Sequence, residues 1–322
     1  MQPRVRVPFA IFTFASFAGL VALSLLWPST ALGYCRTRTC EFEGTSACDV
    51  DPSTSCSLDG EFAHWKSGCI SYAVQADGSE VADVSADELR ELLDSGFRSW
   101  SEVQCSPGSA ATPPLSSHYR GNTACDEVEY NCGAASDNAN IAMFRDDDSD
   151  LSPFTIALST IIANLRTGEI LDVDIEINSQ DFDFYLDDAS ASDEAHDLRL
   201  VINHELGHFL GLSHTLTPGA LMRSEYEGSD QLPVADDIAG MCSILPASMT
   251  DPSCTANAVL DACVGRDGRC PVAVKAKESG CSLALESGAA SGGAPAAALA
   301  AASLLLLGRA RRRRPAPSPQ VS

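Results

Sequence analysis

The chain is 322 residues long and carries 44 Asp and Glu against 21 Lys and Arg, a formal net charge of −23. A surface this acidic repels phosphate backbones, which excludes nucleic acid as a partner; the charge serves mainly solubility. Thirteen cysteines with no CxxC pair among them point to disulfides outside the cytoplasm rather than to zinc ribbons.

Residues 1–33 read as a secretory signal peptide. Arg4 and Arg6 form the basic start, an apolar run follows, and Ala31-Leu32-Gly33 has the small-x-small cleavage pattern, so the mature chain begins near Tyr34. A retained membrane anchor is the alternative. Residues 34–60 hold Cys35, Cys40, Cys48 and Cys56 among Ser, Thr, Asp and Pro, with little apolar periodicity; they read as a disulfide-tied N-terminal segment. The main domain is then expected over 61–246.

Within it, GCISYAVQA alternates apolar and polar residues and predicts a strand. SADELRELLDSGFRSWSEV places Leu89, Leu92, Leu93, Phe97 and Trp100 at helical spacing, with Ser85 and Glu88 as a capping box. The Pro-, Ser- and Gly-rich stretch from Cys105 to Gly133 is expected to be a long tied loop. NIAMFRDD, FTIALSTIIAN and GEILDVDIEIN predict three strands, the last two joined as a hairpin around Arg166-Thr167-Gly168. A helix is expected from near Ser192-Asp193 to about Leu210, and a short last helix in VADDIAGMCSIL. A second cysteine-rich segment, 247–280, carries Cys254, Cys263 and Cys270. Residues 281–322 contain APAAALAAASLLLLG followed by RARRRR, an apolar helix with positive charge behind it. Its length and alanine content make insertion in a membrane marginal.

The chemistry concentrates in VINHELGHFLGLSHTLTPGALM, residues 201–222, with three of the six histidines of the chain. A helix turns about 100° per residue, so His204 and His208 project from one face a turn apart, as two ligands of one metal must. Glu205 sits beside them, placed to reach a water on the metal without being a ligand. Gly211 can take the left-handed conformation that ends a helix and turns the chain, which would bring His214 back as a third ligand. Three neutral imidazoles leave a fourth position open on zinc, as in a catalytic site. There the metal acidifies water and polarises a carbonyl, and Glu205 acts as general base and then acid. The bland alternative is a core helix with buried, hydrogen-bonded histidines.

These residues complete HExxHxxGxxH, and the resemblance reaches further. FRSWSEV, GEILDVDIEIN, HELGHFLGLSHT, the ALM around Met222 and DDIAGM follow one another as in matrixin-like metzincins, over roughly residues 61–246. The resemblance implies an α+β fold, a twisted mixed sheet with an active-site helix and a cleft above the zinc, flanked here by disulfide-rich segments. It implies zinc held by His204, His208 and His214, Glu205 as the catalytic residue, Gly211 at the motif turn and Met222 in a Met-turn beneath the histidines. Protein or peptide substrates follow, with FTIALSTIIAN as the upper edge on which an extended peptide could lie as an added strand. Three matrixin patterns are missing: the cysteine-switch propeptide, the histidine-rich loop of a second zinc, and ALMYP, which is ALMRSEY here. The end of the chain resembles MYXO-CTERM sorting tails of myxobacterial surface proteins, from Gly280-Cys281 onward, and implies surface display or release.

Three further features have plainer readings. Tyr226 lies four residues beyond Met222 and reads as surface packing rather than an oxyanion donor. His196 reads as a surface or capping residue near the helix start. The run Arg145-Asp146-Asp147-Asp148-Ser149-Asp150 reads as a solvated loop, with calcium binding as its alternative. The reading as a whole is a secreted or surface-displayed zinc endopeptidase, touching membrane only through its tail. Its rival, a non-catalytic binding or adhesion protein on the same scaffold, would be marked by a broken motif, and none is broken.

Overall fold

A computed structural model describes residues 33–42, 48–106, 112–128, 130, 139–147, 151–186, 195–225, 232–245 and 273–275. Residues 1–32 of the stretch read as a signal peptide, most of 247–280, the stretch 281–322 read as a sorting tail, and Tyr226 lie outside them.

The strands are β1 (Cys35–Arg36), β2 (Cys69–Gln75), β3 (Ser116–Thr123), β4 (Ile141–Phe144), β5 (Ala157–Asn164), β6 (Ile170–Ile177), β7 (Phe184–Tyr185), β8 (His196–Asp197), β9 (Leu212–Ser213) and β10 (Ala273–Lys275). The helices are α1 (Ala86–Ser101), α2 (Leu198–Leu210) and α3 (Ala235–Ile244). Six strands form one sheet in the order β10-β5-β6-β4-β2-β3. β2, β3, β4 and β6 pair in parallel, while β5 runs antiparallel to both β6 and β10. The mixed sheet with helices is the α+β architecture expected.

Local chemistry explains the elements that sequence locates well. The Ser85 hydroxyl accepts from the Glu88 N–H, and Glu88 accepts in return from the Ser85 N–H at 2.8 Å, so the expected capping box opens α1. Leu89, Leu93, Phe97 and Trp100 bury the inner face of that helix. Gly168 takes a positive φ of 75° at the turn between β5 and β6, and a Cβ there would lie 2.1 Å from the Phe62 carbonyl oxygen. Glycine is required on both counts.

Two expectations need correction. The stretch expected as a loop from Cys105 contains β3, which pairs in parallel with β2 from Cys69↔Ser116 to Gln75↔Thr123. Its sequence, SSHYRGNT, lacks apolar alternation because the strand stands at the sheet edge with mostly half-buried residues. The motif helix starts at Leu198 rather than near Ser192. Asp197 caps it by accepting from the Arg199 N–H at 3.0 Å, and its preceding residues pair with β7. His196 is accordingly buried, edge-on to the Phe182 ring at 5.4 Å, and not a surface residue. Burial lowers its pKa.

All of α2 except Arg199 is buried, so the helix runs through the interior with α1 against it. Gly96 allows that approach: a Cβ there would meet Leu206 at 2.4 Å and Asn203 at 2.6 Å. The Trp100 indole donates to the Asn203 carbonyl at 3.0 Å, and the Trp65 indole donates to the Phe209 carbonyl at 2.8 Å. The N-terminal segment joins this core as β1, antiparallel to β9. Disulfides Cys35–Cys56 and Cys40–Cys48 tie it, and Cys105–Cys242 links the end of α1 to α3. Among the described residues, no helix is long and apolar enough to cross a membrane.

Candidate metal centre

α2 delivers His204 and His208 from one buried face, and Gly211 ends it. Its φ of 106° is left-handed, its N–H returns to the Gly207 and His208 carbonyls, and the chain then folds back through β9. That reversal brings His214 to the other two histidines. The Nε2 atoms of His204, His208 and His214 stand 3.1–3.2 Å from one another.

Each ring is turned by its surroundings. The His204 Nδ1 lies 2.7 Å from the Leu221 carbonyl oxygen, and the His208 Nδ1 lies 2.9 Å from that of Leu212. A carbonyl only accepts, so both Nδ1 atoms carry the proton and both Nε2 atoms present lone pairs to the centre. Facing lone pairs do not hydrogen-bond one another. They do suit a cation: three nitrogens at the usual zinc distance in a tetrahedron are spaced by roughly 3.3 Å. Burial lowers the pKa of all three rings, His204 to about 4, His214 to about 3 and His208 well below its ordinary value. Neighbouring imidazoles push His208 and His214 further in that direction. At neutral pH the cluster is uncharged, the state in which imidazole binds metal. Among the described residues this is the one group of three or more His, Cys, Asp or Glu side chains with donor atoms gathered closely enough to hold a metal ion.

Glu205 is fully buried beside His204, and its Oε2 accepts from the Ser159 hydroxyl at 2.7 Å. Met222 is also buried, and it lies directly against Gly207, where a Cβ would stand 2.1 Å from its sulfur. The glycine between the two helical histidines therefore makes room for the methionine below them.

Sequence reasoning named these residues but not what holds them. Asp237, buried in the first turn of α3, accepts from the N–H groups of Leu221, Met222 and Val234 at 2.9, 3.1 and 2.9 Å. It fixes the turn whose Leu221 carbonyl orients His204. Burial raises its pKa despite those three bonds. On the other side, the Thr37 hydroxyl donates at 3.0 Å to the Leu212 carbonyl that orients His208, and the Thr37 N–H donates to Gly211 at 2.9 Å. The Thr215 hydroxyl donates to the Gly33 carbonyl at 3.0 Å, and the Gly33 N–H donates to Asp236 at 2.7 Å. The signals of the Asp pair in the sequence are two acids opening an otherwise apolar helix and their place in DDIAGM; Thr37 carries none.

A model of the Matrixin peptidase family matches residues 64–245, the span that carries the three histidines. The chain is a matrixin. Human neutrophil collagenase is 33% identical to this matrixin over 122 residues, covering 35% of this chain and 25% of the collagenase. The matrixin thus spans about a quarter of that relative's length. Its N-terminal segment, Gly33 to Ala63, precedes the family match although it supports the third histidine.

Two other expectations meet the structure near the site. Asp146, in the run read as a solvated loop, is half-buried, and its carboxylate accepts from Ser79, Glu80, Val81 and Ser179. Its neighbour Arg145 pairs with Glu176 at 2.8 Å, while Asp148 to Asp150 lie outside the described residues. β5, expected as the cleft edge, pairs with β6 on one side, and on the other Ile162–Asn164 pair with Ala273–Lys275 of the same chain.

Proposed function

We propose that this matrixin is a zinc-dependent endopeptidase, exported through residues 1–33 and displayed or released by way of the tail at 281–322. One observation carries the catalytic part: three imidazole Nε2 atoms converge to 3.1–3.2 Å beside a fully buried glutamate on the same helix. His204, His208 and His214 are assigned as ligands of one zinc ion. When bound there, zinc supplies a Lewis acid that polarises the scissile carbonyl and makes water a nucleophile near neutral pH.

The remaining work falls to the chain. Glu205 takes a proton from the attacking water onto its carboxylate and passes it to the leaving amine. Leu221 and Leu212 hold two ligand rings in the Nδ1-protonated tautomer through their carbonyls. Met222 closes the floor of the site with an apolar side chain. His204, Glu205 and His208 are buried and His214 half-buried, and this strengthens the polar contacts among them.

The test is to quantify zinc in the purified full-length chain and incubate it with a peptide library beside Glu205→Ala. One zinc per chain in both proteins, with cleavage by the parent alone, is the expected result. Zinc in both and cleavage by neither would replace the peptidase with a binding protein on a matrixin scaffold. A parent chain that binds no zinc would remove the site.

A further inference from the structure

Glu205 has a partner that neither the motif nor the family match assigns. Ser159, in the middle of β5 and only 1% exposed, directs its hydroxyl at α2. Its Oγ lies 2.7 Å from Glu205 Oε2 and 3.2 Å from the Glu205 carbonyl oxygen. We propose that Ser159 is the positioning residue of the general base, holding the Glu205 carboxylate in one orientation against its own helix backbone.

A glutamate side chain turns about three bonds, and each buried torsion left loose spreads the carboxylate over several positions. Serine turns about one. Its backbone is itself fixed, because Ser159 is registered against Ile175 of β6 within an antiparallel ladder that runs the length of β5. The neighbouring residue on the same row, Ala157, clusters with Val201 of α2, so strand and helix are packed together next to the bond. A hydroxyl has one proton to give. The carboxylate oxygen Oε2, the closer of the two acceptors, takes it. The Glu205 carbonyl, 3.2 Å from the same oxygen, is the longer and weaker of the two contacts. Anchored by Oε2 to a rigid strand, the carboxylate stays at a set place relative to His204 and His208 one residue before and three after it.

The kinetic consequence rests on the peptidase reading, whereas the geometry does not. Ser159→Ala and Ser159→Thr in the full-length, zinc-loaded chain separate the two. With alanine, kcat on a fixed peptide is expected to fall about 10- to 100-fold through misplacement of the base. KM, zinc content and melting temperature should change little. Threonine keeps the hydroxyl and suits a strand, and it should restore most of kcat. Crystal structures of the parent and the alanine variant give a second readout, independent of turnover: Glu205 should be ordered in the parent and displaced or split in the variant. A carboxylate that stays in place in Ser159→Ala overturns the proposal, as does a variant with parental kcat or equal losses in both variants. If the parent cleaves nothing, the peptidase reading fails by itself and the crystallographic comparison still decides the role of Ser159.

Discussion

Two of the three histidines and the third reach the same point by opposite means. His204 and His208 ride on a buried helix whose own hydrogen bonds set their spacing, and any stable α2 places them on one face. His214 rides on a loop that turns at Gly211 and is held from outside by β1 and Thr37. The spacing in the first arrangement is local, and only the turn of each ring depends on other parts of the chain, through the Leu221 and Leu212 carbonyls. The second is assembled across a sequence separation of 175, from Thr37 to Leu212, and it depends on an N-terminal segment that the family match does not include.

Acid should expose the shared liability of the helical and loop-borne histidines, and by the largest amount. In the zinc-free chain the folded pKa of His204 is about 4 and that of His214 about 3, against an ordinary value near 6.5. The unfolded chain therefore binds more protons below pH 6.5, so stability is flat above that value and declines as pH falls towards the folded pKa values. At pH 5 each of these two histidines costs about 2 kcal/mol relative to pH 7, about 4 together. Denaturant unfolding of the zinc-free protein at the two pH values measures it. Replacing His214 by alanine should remove its own share of the decline, about 2 kcal/mol; an unchanged decline would mean that the loop-borne ring is not held neutral in the fold.

The next effect separates the two arrangements. Cys35–Cys56 closes a loop with a sequence separation of 21, and its loss should cost about 3 kcal/mol through the entropy of the unfolded chain. The paired Cys35→Ala, Cys56→Ala variant tests it by denaturant unfolding in parallel with zinc release to a chelator. Release should quicken, because β1 is the strand against which β9 is set just before His214. Lost stability with unchanged zinc release would show that the loop holds its ligand without the N-terminal segment.

Asp237→Asn acts instead on the side of the helical pair. Both carboxylate oxygens accept backbone N–H groups there, and an amide turns one acceptor into a donor facing a donor. The expected cost is about 2 kcal/mol, with His204 loosened through the Leu221 carbonyl. Thermal unfolding together with zinc affinity reads both, and an Asn variant as stable as the parent would deny Asp237 its part in the turn.

The same division explains how much could be read from the chain alone. The capping box of α1, the hairpin at Gly168 and the histidine spacing are written in neighbouring residues, and each appears where the pattern puts it. β3 was invisible because an edge strand needs no apolar alternation. The start of α2 was placed too early because the cap at Asp197 depends on its pairing with β7. Ser159, Asp237 and Thr37 were not legible as parts of the site for one reason: their contacts with it run across 46, 16 and 175 positions of sequence. No periodicity or spacing rule reaches that far.

The smallest effect is also the sharpest test of the distant support. Thr37→Val keeps the shape of the side chain and removes only the hydroxyl that donates to the Leu212 carbonyl at 3.0 Å. That carbonyl also accepts from His208, so it retains a partner and no buried acceptor is orphaned. The cost should be about 1 kcal/mol, that of one ordinary hydrogen bond. Zinc affinity should fall by less than the roughly tenfold that loss of a direct ligand partner brings, because Thr37 acts on His208 only through the carbonyl they share. Isothermal titration of zinc-free Thr37→Val beside the parent measures this. A tenfold or larger loss would mean that the N-terminal segment positions the helical ligand as well as the loop, and the line drawn between the two arrangements would have to move.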